Sequence, residues 1–244
     1  MKIFAFIPAR YDSSRFPGKP LALIAGKPMV QHVYERIASC PDVFGIYVAT
    51  DDERISECVK GFGGNTVLTD RSHRSGTDRI CEAAQKVELK GDDIVVNIQG
   101  DQPLFNSAVV PQLVGPLLED ETIPMSTLKW KIRQKEEVAN PNHVKVVTDS
   151  QGFALYFSRY AIPYLRDDDK EFPFFKHLGV YAYRMDFLLE YTRLPEGVLE
   201  SAEKLEQLRA LEHGFRIKVV ETEHNSPEVD IPEDINRVEA ILRA

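Results

Sequence analysis

The chain has 244 residues, of which 43% are hydrophobic and 28% charged, values that are ordinary for a globular protein with a sizeable core. Its formal net charge of −8 argues against general nucleic-acid binding. No apolar run approaches the ~20 residues of a membrane span and no signal-peptide layout opens the chain, so we expect a cytoplasmic protein without membrane insertion.

Apolar strands alternate with amphipathic helices in the first half of the chain. The pattern predicts strands at residues 3–7, 45–49, 66–68 and 94–98. It predicts helices at residues 28–39, 52–61 and 75–87. This alternation indicates an α/β fold with a mostly parallel sheet covered on both faces. Ligands of such sheets bind at the carboxyl ends of the strands.

The second half of the chain is less regular. Strands are predicted at residues 122–131, 143–149, 153–157, 180–183 and 216–221. A short polar turn at 149–152 joins two of them, which indicates an antiparallel patch. Helices are predicted at residues 200–212 and 231–242. We interpret the chain as one compact domain in which this patch is inserted.

A basic loop follows the first predicted strand. Residues 10–27 contain four basic groups and one acid, although the whole chain is acidic. Such a loop at the end of a buried strand is suited to a polyanion such as a nucleoside triphosphate. Arg15 can bind phosphate in a bidentate manner, Lys19 supplies a mobile point charge, and Arg10 adds a third cation. The alternative is a solvated connecting loop.

Two acids are candidate ligands of a metal ion. Asp101 follows the strand at 94–98 in the sequence Gly-Asp-Gln-Pro, where a carboxylate can hold Mg²⁺ beside bound phosphates. Asp230 lies before the last helix and is the candidate second ligand. The alternative interpretation is a turn aspartate at 101 and an ordinary helix-start acid at 230.

Polar groups at the start of the third predicted helix form a further candidate site. Ser75, Gly76 and Thr77 provide backbone donors on which a base or a ribose can dock.

Three groups in the second half carry further candidate residues. Arg159 ends a strand with a cation suited to a carboxylate, and His177 and Tyr181 lie near each other in sequence. Glu206 and Gln207 lie opposite the leucines of the helix predicted at 200–212. The alternatives are, in turn, a surface arginine, a buried histidine of the core and a solvated helix face.

Taken together, the motifs resemble the 3-deoxy-manno-octulosonate cytidylyltransferases, also called CMP-Kdo synthetases, and the likeness runs from end to end. The matching segments, in the order of that family, are IPARYDSSRFPGKPL, KPMVQHVYERI, VATDDERI, SGTDRI, VVNIQGDQP, ALYFSR, KHLGVYAYR, LEQLR and VDIPEDI. PGKPL, YFSR, HLGVYAYR and LEQLR are the specific ones, since sialate and isoprenoid cytidylyltransferases share the fold without that set.

The resemblance implies a Rossmann-like nucleotidyltransferase fold whose antiparallel patch forms a homodimer. It implies that CTP and an eight-carbon keto-acid sugar (Kdo) give CMP-Kdo and pyrophosphate, with Mg²⁺, for lipopolysaccharide biosynthesis. The CTP-binding part would be mainly residues 1–120, and the sugar-binding and dimer-forming part mainly 121–215. The resemblance implies that the triphosphate is bound by Arg10, Arg15 and Lys19 and that the nucleoside lies near Ser75, Gly76 and Thr77. It implies that the metal ion is bound by Asp101 and Asp230. The sugar would be bound by Gln99, Arg159, His177, Tyr181, Glu206 and Gln207.

Some positions depart from the commonest family pattern. Gln102 replaces a glutamate in GDEP, Ile231 replaces a threonine in VDTPED, and His143 replaces a small apolar residue. GDQP, SSRFPGKPLA and SPEVD resemble a branch that uses the 8-amino-3,8-dideoxy form of the sugar. The alternatives are therefore that branch, another nucleotidyltransferase of this fold, acting on a sialic acid or a sugar 1-phosphate, and a non-catalytic CTP-binding regulator.

Overall fold

The computed structural model describes residues 1–12, 16–167 and 172–243. The chain forms two compact units. Unit 1 comprises Met1–Pro111, Arg184–Thr192 and Ser226–Ala244, and unit 2 comprises Gln112–Tyr183 and Arg193–Asn225. The interpretation as a single domain, with parts at 1–120 and 121–215, stays a prediction.

The strands in chain order are β1 (Ile3–Ala9), β2 (Leu23–Ile24), β3 (Lys27–Pro28), β4 (Gly45–Thr50), β5 (Thr66–Leu68), β6 (Ile94–Asn97), β7 (Met125–Lys131), β8 (Lys145–Thr148), β9 (Ala154–Ser158), β10 (Phe175–Arg184) and β11 (Ile217–Glu221). The α-helices are α1 (Met29–Ala38), α2 (Glu53–Gly61), α3 (Gly76–Lys86), α4 (Val109–Glu119), α5 (Lys135–Val138), α6 (Met185–Tyr191), α7 (Val198–Glu203), α8 (Leu208–Glu212) and α9 (Asp234–Arg243).

Unit 1 is built on four parallel strands in the order β6-β1-β4-β5. β6 is buried at every position, and five of the seven residues of β1 are buried. Because both faces of these strands are covered, continuous apolar runs specify them, and the predicted strands and helices of the first half are confirmed to within about two residues. The α/β fold class is confirmed.

The end of the chain is packed onto the start of unit 1. Val229 and Val238 are fully buried against Ile24 and Met29, with Leu242 at the edge of the same cluster. This apolar packing brings the segment before α9 close to the loop that follows β1.

Unit 2 contains the predicted antiparallel patch. β7 pairs with β10 in an antiparallel manner and with β11 in a parallel manner, and β8 pairs with β9. β10 begins at Phe175, earlier than the predicted strand at 180–183, and its pairing with β7 is irregular between Leu178 and Tyr181.

The single helix predicted at 200–212 is wrong. α7 ends where Lys204 adopts the left-handed conformation, with φ of 52°, and α8 begins at Leu208. The leucine spacing was compatible with one helix, but a non-glycine residue at positive φ interrupts it. Glu206 and Gln207 consequently lie in the connection between the two helices rather than on an exposed helix face. No helix within the described part of the chain is long and apolar enough to cross a membrane.

Candidate active site

A cavity of about 290 Å³ lies at the carboxyl ends of β1 and β6 in unit 1. It is polar and is lined by Pro8, Ala9, Arg10, Lys19, Pro20, His73, Arg74, Ser75, Gly76, Arg79, Gln99, Gly100 and Asp101. The basic loop, the start of α3 and the segment after β6 therefore meet, as their positions at strand ends predict. Arg15 lies outside the described residues.

Lys19 joins three remote segments at the edge of this cavity. Its ammonium donates hydrogen bonds to Asp101 Oδ2 at 2.7 Å and to the carbonyl of Val229 at 3.0 Å. The amide of Val229 in turn donates to the carbonyl of Asp101 at 2.9 Å. Asp230 follows directly, and its amide is held by the carboxylate of Asp234 at 2.9 Å. The two predicted acids are thus brought together by neighbouring backbone.

The donor set of this corner suits a hard divalent cation. Asp101 and Asp230 offer carboxylate oxygens, and Mg²⁺ in proteins uses one or two carboxylates and completes its shell with phosphate and water. Within the described ranges no cluster of three or more histidine, cysteine or acidic side chains is present, so an all-protein cage is not formed there. The carboxylates at 101 and 230 would suit Mg²⁺ if phosphate and water oxygens completed its shell.

Two glycines allow the segments around the cavity to approach closely. A Cβ on Gly100 would lie 3.0 Å from the carbonyl oxygen of Pro8, and one on Gly76 would lie 3.2 Å from the Pro8 side chain. Ser75 caps α3 by accepting a hydrogen bond from the amide of Asp78 at 3.0 Å. Thr77 is buried in the first turn of the helix. The backbone of residues 75–76 therefore borders the cavity directly.

Arg79 is a cavity residue that the sequence interpretation missed. Its guanidinium is 3% exposed and donates to Asp51 at 2.9 Å and to the Thr69 hydroxyl at 2.6 Å. A buried cation paired in this way is fixed in orientation. The signal available in the sequence was its place in the same short motif as Ser75 and Gly76.

Glu82 on α3 anchors the loop that leads to the cavity residue His73. Its carboxylate accepts from the amide of Asp70 at 2.9 Å and from Lys86 at 2.7 Å, and it also pairs with the His73 ring. Burial raises the pKa of Glu82, but its hydrogen bonds with Lys86, the Asp70 amide and His73 outweigh burial and lower that pKa to about 2.

Arg159, in unit 2, is held by neutral acceptors. Its guanidinium donates to the carbonyls of Glu203 at 2.7 Å, Pro141 at 3.1 Å and Lys204 at 3.3 Å. Fully buried Lys145 donates to the carbonyl of Arg159 itself at 2.5 Å. Burial lowers the pKa of Lys145. The Glu203 carboxylate accepts from the Arg159 backbone amide at 2.9 Å, but among the described residues no carboxylate pairs with the guanidinium, so its charge is available to an anion.

The other predicted sugar residues of unit 2 lie close together. The rings of His177 and Tyr181 are 5.4 Å apart, and those of His177 and Phe157 are 5.0 Å apart. Burial raises the pKa of Tyr181, and the nearby Glu206 carboxylate raises it further. Gln207 is 4% exposed, and within the described residues its amide nitrogen has no hydrogen-bond acceptor. Gln99 belongs to the cavity of unit 1.

The parallel sheet of unit 1, with cations and acids at its carboxyl edge, is that of a nucleotide-binding α/β protein. Comparison with known proteins gives the family. The cytidylyltransferase family matches residues 4–221. A 3-deoxy-manno-octulosonate cytidylyltransferase of Desulfatibacillum aliphaticivorans is 56% identical, covering 100% of this chain and 99% of that protein. An 8-amino-3,8-dideoxy-manno-octulosonate cytidylyltransferase of Shewanella loihica is 54% identical, covering 99% of each protein.

A solved CMP:2-keto-3-deoxy-manno-octonic acid synthetase in complex with CTP has a TM-score of 0.94 and 44% identity to this chain, covering 100% of this chain and 99% of that one. The chain belongs to the cytidylyltransferase family.

The Glu82 network predicts an acid-dependent loss of stability. Because the pKa of Glu82 is lowered from 4.5 to about 2, its contribution is complete above pH 4.5 and disappears as the pH falls toward 2. We expect Glu82→Gln to lower the free energy of unfolding by roughly 2 kcal/mol at pH 7 and by less at pH 3. Urea unfolding at both values measures the difference. Glu57→Gln, at an exposed position of α2, is the control and should change stability little; an equal effect of Glu82→Gln at both pH values would contradict the assignment.

Proposed function

We propose that this protein activates 3-deoxy-D-manno-octulosonate with CTP, giving CMP-Kdo and pyrophosphate for lipopolysaccharide biosynthesis in the cytoplasm. The observation that carries the proposal is the meeting of Lys19, Asp101 and the 229–230 segment at the carboxyl edge of the unit 1 sheet. The names of the relatives at 56% and 57% identity support the choice of sugar.

The nucleotide is assigned to the cavity of unit 1. Arg10 and Lys19 face the triphosphate, Arg15 is expected to assist them, and Ser75, Gly76 and Thr77 border the nucleoside. Lys19 pairs with Asp101, so binding of CTP exchanges that carboxylate for phosphate oxygens around the same ammonium.

Mg²⁺ is assigned to Asp101 and Asp230. When bound there, the ion would neutralise phosphate charge and favour attack at the α-phosphorus. The side chains supply position and charge, as in other phosphoryl transfers, and no covalent intermediate with the protein is needed. The anomeric oxygen of the sugar forms the new bond to the α-phosphorus and its proton passes to water, while the bond from the α-phosphorus to the bridging oxygen breaks and pyrophosphate leaves.

The sugar is assigned to Arg159, His177, Tyr181, Glu206 and Gln207 in unit 2. Arg159 is the partner for the sugar carboxylate, since within the described residues three carbonyls fix its guanidinium and take three of its five N–H groups. The buried amide nitrogen of Gln207 is a donor for a sugar oxygen.

A second candidate is the same reaction on the 8-amino-3,8-dideoxy sugar. Gln102 is 1% exposed and its amide donates to Glu228 at 3.3 Å, so a neutral residue stands beside Asp101. Relatives from Shewanella at 53–54% identity carry the amino-sugar name. Relatives named for the hydroxyl form reach 56–57% identity, which places that sugar first.

A direct comparison of acceptors tests the function. We expect pyrophosphate release from CTP and Mg²⁺ with the hydroxyl sugar, at a higher kcat/KM than with the 8-amino sugar. Faster turnover of the amino form would move the assignment to that branch. CTP binding by calorimetry without product from either sugar, or from a sialic acid or sugar 1-phosphate, would identify a regulator instead.

Substitution of Asp101 tests the proposed metal site. Asp101→Asn removes a carboxylate charge while the Lys19 ammonium keeps the Val229 carbonyl, so we expect kcat to fall roughly 100-fold or more with little change in the urea midpoint. Asp42→Asn, at an exposed position, is the matched control. Near-normal turnover by Asp101→Asn would exclude the assigned role.

We also propose that the protein is a homodimer formed through unit 2. A broad groove of about 1130 Å³ there is lined in part by Tyr160, Tyr164 and Phe172, which are 79%, 88% and 43% exposed. Exposed aromatic side chains that line one groove are typical of protein interfaces.

A charge in this groove is expected to break the dimer. Tyr164→Glu should shift sedimentation equilibrium from twice the chain mass toward the monomer, because a carboxylate would be desolvated in the interface. Leu23→Glu, at a 61% exposed position in unit 1, should leave the mass unchanged. A monomeric wild-type protein at micromolar concentration would contradict the proposal.

A further inference from the structure

An irregularity in β10 brings together residues that a regular strand would separate. His177 pairs with Lys129 of β7, and Tyr181 pairs with Thr127. An advance of four residues along β10 therefore corresponds to an advance of only two along β7. Gly179 and Val180 are the extra residues. The bulge places His177 and Tyr181 on one face as next-nearest neighbours, and it turns two β10 carbonyls toward Thr127.

The hydroxyl of Thr127 has three neighbours and one proton. Its oxygen lies 2.8 Å from the carbonyl oxygen of Val180, 3.2 Å from that of Leu178 and 2.9 Å from His177 Nε2. Carbonyl oxygens can only accept a hydrogen bond. If the Thr127 hydroxyl donated its proton to His177, its oxygen would face two carbonyl oxygens with no proton between them, so the hydroxyl donates to one of the carbonyls. The hydroxyl oxygen then accepts, and His177 Nε2 must carry a hydrogen.

This count of protons defines the state of the His177 ring. Burial among Phe157 and Tyr181 lowers the pKa of His177 to about 3, so the ring is neutral at pH 7. A neutral ring with a hydrogen on Nε2 has a lone pair on Nδ1. Within the described residues Nδ1 makes no hydrogen bond.

We propose that Thr127 is a positioning residue that holds His177 as the neutral Nε2–H tautomer, so that Nδ1 accepts a hydrogen bond from a hydroxyl group of the sugar. The inference rests on the proposed function. A neutral hydrogen-bond acceptor does not attract a carboxylate. His177 therefore binds a hydroxyl group of the sugar, and Arg159 binds the sugar carboxylate. Thr127 is itself fully buried and acts only through the ring.

The test compares three variants of neighbouring hydroxyls in β7. Thr127→Val removes the hydroxyl at nearly constant shape, and Thr127→Ser keeps it. Ser126→Ala removes a buried hydroxyl that bonds the carbonyl of Leu113 and not the histidine, and is the matched control. The tautomer is observed by nitrogen-15 NMR of protein labelled at histidine, with the His177 signals assigned by their loss in His177→Asn. Steady-state kinetics give the KM for each substrate.

We expect a wild-type His177 with a hydrogen on Nε2, and a mixture of tautomers in Thr127→Val. The KM for the sugar should rise about tenfold in Thr127→Val with the KM for CTP unchanged, and Thr127→Ser and Ser126→Ala should resemble wild type. A hydrogen on Nδ1 in the wild-type protein would overturn the inference even if Thr127→Val failed to fold. So would an unchanged sugar KM in an active Thr127→Val. A wild-type protein without turnover on CTP and either sugar would instead overturn the proposed function.

Discussion

The contact of Lys19 with Asp101 and the Val229 carbonyl is the constraint on which the candidate active site depends. It joins residues 82 and 210 positions apart in sequence. Burial of Val229 and Val238 against Ile24 and Met29 holds the remote segment in place, so apolar packing supports the charged corner. Without that packing, Asp230 would have no defined relation to Asp101. The lysine also balances a carboxylate that would otherwise face a polyanion alone.

The sugar site that we propose in unit 2 differs in its contacts. In the part of the chain that the structure describes, the Arg159 guanidinium is held by carbonyls rather than by carboxylates, which leaves its charge available. Its histidine is neutral and acts through a lone pair. Both effects come from backbone carbonyls that a bulge or a helix break exposes: Leu178 and Val180 in β10, and Lys204 after α7. Irregular backbone at these points is therefore part of the proposed site.

The sequence predicted the parallel strands and α1–α3 of unit 1 well, because β1 and β6 are largely buried and these helices carry clear amphipathic periodicity, but it did not predict α6. It failed at 200–212, where leucines at helical spacing continue across a break that the conformation of Lys204 decides. It also missed the first part of β10. Arg79 and Thr127 escaped notice because a partner 28 or 50 residues away gives no local pattern.

The sequence by itself determined the α/β class, the basic loop after β1 and the family, because these depend on local periodicity and on residue types in short motifs. Only the tertiary structure decided which acid meets Lys19, how Arg159 keeps its charge, and which nitrogen of His177 carries a hydrogen. Each of these depends on distances between atoms remote in sequence, and hydrogen bonds and ion pairs are effective only over a few ångströms.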